Sequence, residues 1–202
     1  MVKNVIFDLG GVIVDFNPEK VIRERFEKKD ADFILGNIFF SREWAEIDRG
    51  TLTPSQAFSK YREALGHETY AKILDIVENW GDYMPPFEDT YNLIKRIKES
   101  GAKVYLLSNV PPYIRKLMNT VPALALMDGI VASADIKMLK PEKEIYEYTL
   151  RKFGLKAEEC VFIDDTKINA DAASQCGITG FWFKDHDIEA LETALRNNGV
   201  NI

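Results

Sequence analysis

The chain has 202 residues, of which 46% are hydrophobic and 29% charged, a globular balance with room for one substantial core and a smaller appended one, and not that of a disordered or fibrous chain. Lys plus Arg number 26 against 32 Asp plus Glu, and the net charge of −6 argues against a nucleic-acid binder, whose affinity rests on a basic surface. There is no bilayer-length apolar run, no signal-peptide pattern at Met1 to Asn4 and no disulfide framework in Cys160 and Cys176, so the expected setting is soluble, reducing and cytoplasmic.

Val5-Ile6-Phe7 is the first strand signal and ends at Asp8; Gly10-Gly11 punctuates it before Val12-Ile13-Val14 resumes. Asn17-Pro18 reads as an N-cap followed by the first helical residue. From there to about Tyr83 the pattern is helical throughout. Thr53-Pro54-Ser55-Gln56 fits a capping box, and Phe58, Tyr61 and Leu65 follow at helical spacing. Pro85-Pro86 ends the region, because consecutive prolines resist helix continuation.

After Pro86 strands and helices alternate. A helix with Tyr91, Ile94 and Ile97 stops at Gly101, and Val104 to Leu107 is a buried-strand run that meets Ser108-Asn109. Ile130-Val131 is a weaker strand. Glu142 to Phe153 is a helix closed by Gly154, and Val161-Phe162-Ile163 is a strand that runs into Asp164-Asp165. A helix from Ile168 to Cys176, a short strand from Gly180 to Phe183 and a helix with Ile188, Leu191 and Leu195 complete the chain. This order predicts an α/β fold with a parallel sheet covered on both faces. The expected division is a core of residues 1–15 and 85–202, with residues 16–84 as an all-helical cap domain inserted after the first strand.

Asp8, Ser108-Asn109 and Asp164-Asp165 each follow an apolar strand run, where open parallel sheets bind their ligands. A strand-end Asp alone is weak evidence, since such loops are rich in Asp, Asn and Ser; three together are not. With Lys140-Pro141 added, the segments Val5 to Val12, Leu107 to Asn109, Lys140-Pro141 and Phe162 to Asp165 resemble the four motifs of the haloacid dehalogenase-like hydrolases, in order and spacing over essentially the whole chain. Asp48-Arg49-Gly50-Thr51-Leu52-Thr53 is similar to a cap element of a narrower group, the phosphatases resembling the N-terminal domain of soluble epoxide hydrolase and bacterial glucose-1-phosphate phosphatases.

The resemblance implies a Rossmann-like core and a Mg²⁺-dependent phosphatase working through an aspartyl-phosphate. Asp8 would be the nucleophile and a metal ligand, with the Gly10 backbone carbonyl and Asp165 as further ligands and Asp164 direct or just behind. Ser108 and Asn109 would bind phosphoryl oxygens through the hydroxyl and backbone N–H groups, although helix capping would account for them as well. Lys140 would set an ammonium against phosphate and Asp8, and Asn169, one helical turn past Asp165, would orient the acidic loop.

Most phosphatases of this family carry a second Asp two residues beyond the nucleophile as general acid and base, and here that position is Gly10. If catalysis is retained, either the enzyme is a slow phosphatase that relies on good leaving groups or a bound water, or another residue such as Asp15 or a cap residue substitutes. The alternatives are a catalytically weak or inactive phosphometabolite-binding protein and, ranked lower, a metal-independent 2-haloacid dehalogenase. Arg49 is a candidate cap contact to substrate, with a solvated helix-end arginine as the other reading; Trp44 and Trp80 are pocket candidates, though such rings are more often core. The expected partner is a small phosphorylated metabolite, with a sugar phosphate such as glucose 1-phosphate as the example, bound by a monomer or, failing that, a dimer, without nucleic acid or membrane.

Overall fold

The computed structural model describes residues 1–112, 114–117 and 120–202. Five parallel strands form one sheet in the order β3-β2-β1-β4-β5. They are β1 (Asn4–Phe7), β2 (Lys103–Ser108), β3 (Gly129–Ala132), β4 (Cys160–Asp164) and β5 (Thr179–Trp182). β1 is central: Phe7 pairs with Leu106 on one side and Ile163 on the other, so the carboxyl ends of three neighbouring strands lie together. This is a Rossmann-like α/β architecture.

The period-2 alternation of each strand divides the core. Val5, Phe7, Val104, Leu106 and Ile163 face a cluster that includes Leu93, Ile94 and Ile97 of α6 (Glu88–Glu99) and Leu191 and Leu195 of α11 (Ile188–Asn197). Ile6, Tyr105, Leu107 and Phe162 face Ile145 and Tyr146 of α9 (Lys143–Phe153) and Ala173 of α10 (Lys167–Gln175). Covering both faces is what makes near-continuous apolar strands stable in water.

Between β1 and α6 the described elements are helical: α1 (Pro18–Arg23), α2 (Lys28–Asn37), α3 (Arg42–Asp48), α4 (Pro54–Phe58) and α5 (Arg62–Glu78), the last kinked at Gly66. Asn17 caps α1 by accepting from Lys20 N, and both halves of the Thr53–Gln56 capping box form. Two short helices, α7 (Ile114–Leu117) and α8 (Ser133–Ile136), flank β3. The helical insertion has no core of its own. Ile22, Ile34, Phe58 and Ile73 belong to the cluster that holds Val5 and Phe7.

Val12-Val14 forms no strand of the sheet. The segment folds as a turn, with Val14 N bonded to Leu9 O and an isolated antiparallel bridge between Val14 and Pro86. Asp15 N donates to Pro85 O at 2.9 Å and Phe87 N to Ile13 O at 2.9 Å, so the two connections to the insertion run side by side. Among the described residues no helix is long and apolar enough to cross a membrane.

Candidate active site

The sheet brings Asp8, Ser108 and Asp164 to one edge, and Lys140 reaches them from the loop before α9. Lys140 Nζ lies 2.8 Å from Asp8 Oδ1 and 2.6 Å from Asp164 Oδ2, and its side chain is 1% exposed. A buried ammonium ordinarily loses its proton more easily. Burial does push Lys140 that way, but the charges of Asp164 and Asp8 outweigh it and the pKa is raised. Its backbone is fixed by Asn109, whose Oδ1 accepts from Lys140 N at 2.8 Å while Nδ2 donates to Lys140 O at 3.0 Å. The Asn109 side chain is thus spent on placing Lys140.

Asp8 Oδ1 accepts from Leu9 N at 2.7 Å as well as from Lys140. Among the described residues no donor reaches Oδ2, so one carboxylate oxygen is pinned and the other is free. Burial raises the Asp8 pKa above the ordinary carboxylate range. Lys140 opposes that rise, and the charges of Asp164 and Asp165 add to it.

Asp164 is fully buried and fully occupied. Oδ2 accepts from Lys140, Oδ1 from Thr166 N at 2.9 Å, and both oxygens from Asn169 Nδ2 at 3.0 and 3.2 Å. Asn169 is held in turn by its carbonyl, which accepts from the Tyr146 hydroxyl at 2.9 Å. Asp165 is the exposed member of the pair. Trp182 Nε1 donates to its backbone carbonyl at 2.9 Å, and its pKa is raised by burial and then by the Asp164 charge. Gly11 makes room for it: at φ +70° a β-carbon there would stand 2.2 Å from Asp165 Oδ2.

One oxygen from each of Asp8, Asp164 and Asp165 lies within 4.8 Å of the others. Lys140 balances only part of that charge, so the donor set, hard oxygens around an excess of negative charge, fits a divalent cation. Asp8 and Asp165 have oxygens to give; those of Asp164 are already bonded.

A cavity of about 240 Å³ opens onto this edge. Its lining includes Asp8, Gly10, Ser108, Asn109, Lys140, Asp165 and Asn169 from the sheet side. The insertion and its ends contribute Phe16, Phe40, Trp44, Asp48, Trp80 and Met84, of which Asp48 is the one ionisable residue. The rings form a connected wall: Phe16 stands 6.1 Å from Phe40, 6.2 Å from Trp44 and 5.6 Å from Trp80. Phe40 is 77% exposed at a left-handed φ of 61°. Trp80, by contrast, is buried, so Trp44 and Trp80 serve core and wall together.

Two expectations are corrected. Arg49 does not line the cavity: its guanidinium donates to Glu142 at 2.5 and 3.1 Å and to Lys137 O at 3.2 Å, docking the insertion on the core. Asp15 also lies outside the cavity, lining a separate one with Asn17, Pro85 and Pro86. Asp48, the neighbour of Arg49, is the residue that was missed. Successive helical residues point about 100° apart, so moving one position exchanges the guanidinium for the carboxyl. Its signal was local. Asp48 closes α3, where an acidic side chain opposes the helix dipole, and a residue set against a local rule is often functional. Its pKa is raised well above the ordinary range, first by burial and then by the charge of Asp8, with Lys140 and hydrogen bonding from Trp44 opposing.

A sequence profile of the haloacid dehalogenase-like hydrolases matches residues 2–177. A sesquiterpene phosphatase of Aspergillus oryzae is 31% identical over 191 residues, covering 94% of each chain. A D-ribitol-5-phosphate phosphatase of Bacteroides thetaiotaomicron is 25% identical, over 90% of this chain and 91% of its own length. More distantly, an (S)-2-haloacid dehalogenase of Pseudomonas fluorescens is 22% identical over 90% of this chain and 84% of its own. Among solved structures, a Bacteroides thetaiotaomicron enzyme of the family, bound to magnesium and inorganic phosphate, superposes with a TM-score of 0.71 at 28% identity, covering 90% of this chain and 93% of that one. With its motifs gathered at one sheet edge and the profile spanning most of its length, the chain belongs to the haloacid dehalogenase-like hydrolase family.

Proposed function

We propose that this protein is a Mg²⁺-dependent phosphatase that transfers the phosphoryl group of a small phosphate monoester to Asp8 and then to water. The observation that carries this reading is the state of Asp8: one oxygen is fixed by Lys140 and Leu9 N, the other accepts no hydrogen bond from the described residues, and the residue lines a cavity with Ser108, Asn109 and Asp165. Mg²⁺ would be held by Asp8, Asp165 and the Gly10 carbonyl, with Asp164 behind them, and when bound it neutralises phosphate charge. Asp8 Oδ2 attacks phosphorus. The Ser108 hydroxyl and the Asn109 backbone N–H donate to the phosphoryl oxygens, and Lys140 keeps Asp8 ionised and oriented. Residues 16–84 act as the cap that shields this step from water.

The wall supplied by the cap favours an apolar alcohol. Four aromatic rings and Met84, with only two indole N–H groups and the Asp48 carboxyl as polar atoms among them, offer too few partners for a row of sugar hydroxyls, and a polar group buried without a partner costs about 1–3 kcal/mol. The sesquiterpene phosphatase relative agrees with this reading, whereas the sugar-phosphate expectation draws support from the ribitol-5-phosphate relative. Dehalogenase chemistry ranks lower, because the Asp8–Asp164–Asp165 cluster suits a cation. Action as a monomer in a reducing cytoplasm is part of the proposal, and the two unpaired cysteines agree with the latter.

The test is phosphate release from isoprenoid, aryl and sugar phosphates by wild type and Asp8→Asn, with Mg²⁺ and with chelator. Release should require Mg²⁺ and vanish in Asp8→Asn, and an apolar ester should lead the panel by at least about tenfold in kcat/KM, the effect of roughly two buried methylenes. Metal-independent release of halide would move the assignment to a dehalogenase, and a sugar phosphate at the head of the panel would overturn the apolar assignment.

A further inference from the structure

We infer that Asp48 is the proton donor to the leaving alcohol, a role the nucleophile's own loop cannot fill because Gly10 stands where a second carboxyl would be. The inference rests on the phosphatase reading above. Three observations carry it. Among the residues that line the cavity, Asp8, Asp48 and Asp165 bear carboxyl groups. Asp8 is the nucleophile, and Asp165 is directed toward the proposed cation site beside Gly11. Of these three, Asp48 alone comes from the insertion, which also supplies the aromatic residues proposed to receive the alcohol.

The second observation is that the backbone of Asp48 is fastened to the core. The Ser133 hydroxyl donates to Asp48 O at 2.5 Å, Arg49 is bonded to Glu142 and to Lys137 O, and Lys137 Nζ donates to Gly50 O. Gly50 turns the chain there at φ +70°, where a β-carbon would meet Ala134 Cβ and O at 3.0 Å. A donor must hold its position to within a fraction of an ångström, and this segment is tied down more firmly than a loop tip.

The third is that the Asp48 carboxyl forms no ion pair among the described residues, and its surroundings favour the neutral acid, the form that can give a proton. In the proposed step the bond from Asp8 Oδ2 to phosphorus forms and the bond from phosphorus to the ester oxygen breaks. The Asp48 proton passes to that oxygen, releasing a neutral alcohol. The carboxylate left behind takes the proton of the water that next attacks the aspartyl-phosphate, so inorganic phosphate departs and both aspartates return to their starting states.

The experiment compares Asp48→Asn with wild type on cyclohexyl and phenyl phosphate in the presence of Mg²⁺. The two esters are alike in shape, but an alkyl alcohol is the far poorer leaving group and depends more on protonation. The quantity read is kcat/KM, which reports only the steps up to departure of the alcohol. General acid help is worth about 10²–10⁴-fold. The cyclohexyl ester should lose that much, and the phenyl ester at least about ten times less. Equal losses on both esters would make Asp48 a residue of binding or structure and overturn the assignment, and so would loss on neither. Turnover of the phenyl ester in the variant reports a folded, metal-loaded site. If wild type and Asp8→Asn alike release phosphate from neither ester, the phosphatase reading itself fails, which is a distinct outcome.

Discussion

Lys140 sits between two carboxylates and has almost no access to water. Removing one partner of a buried ionic group is costly because the others keep their charge without compensation, typically about 3–5 kcal/mol. Lys140→Met should therefore lower the unfolding free energy at neutral pH by about 3 kcal/mol, measured by urea denaturation in chelator. A loss below about 1 kcal/mol would mean that Asp8 and Asp164 simply take up protons. Gly11 makes a second prediction. Gly11→Ala forces a left-handed φ on a residue with a β-carbon and drives that carbon into Asp165. The Mg²⁺ concentration for half-maximal turnover should rise roughly tenfold or more, the usual size of a disturbed ligand support. Unchanged Mg²⁺ dependence would remove Asp165 from the proposed metal shell. Asp8 and the Asp164-Asp165 pair stood out because each follows an apolar strand run, whereas Lys140, in a loop, was singled out only by the family resemblance. The resemblance put Asp165 on the metal with Asp164 direct or just behind it, but only the fold shows that Lys140, Asn169 and Thr166 N exhaust the oxygens of Asp164.

At the level of elements, the helical insertion and the sheet meet through α3 and the segment before α9. Arg49 bonds Glu142 across that junction, with Glu46 at 3.7 Å as a weaker second partner. Both side chains are partly exposed, so a double-mutant cycle with Arg49→Ala and Glu142→Ala should return a coupling of about 0.5–1 kcal/mol, weaker in high salt. A coupling indistinguishable from zero would mean that this pair does not hold the cap. The alternation of strands and helices was readable from period and punctuation, and so were the Asn17 and Thr53 caps, because each rests on local chemistry. Val12-Val14 misled for the same reason: an apolar triplet looks like a strand when the bridge from Val14 to Pro86 cannot be seen. Trp44 and Trp80 were pocket candidates from the sequence, but their convergence with Phe16 was hidden, since the three are far apart in sequence and meet only when the insertion folds.

Of the two apolar clusters, the larger runs unbroken from insertion to sheet, from Ile34 and Phe58 to Val5 and Phe7. Elements that share a core lose their stabilisation together, so the chain should unfold in a single step despite its two-part plan. Far-UV circular dichroism and tryptophan fluorescence, the latter reporting in part on Trp44 and Trp80, should give coincident urea transitions. Separate midpoints would show that the insertion melts alone.

The paired connections at Asp15–Pro85 and Ile13–Phe87 bear on how such a chain can diversify. Everything between them is a loop whose ends already touch. Closing such a loop grows costlier only with the logarithm of its length, about 0.6 kcal/mol for each doubling. An ancestor could therefore have exchanged one helical insert for a longer or shorter one without disturbing the register of β1 against β2 and β4. On the proposed reading, the chemistry at the strand ends would stay in place while the exchanged segment decided which alcohol is admitted.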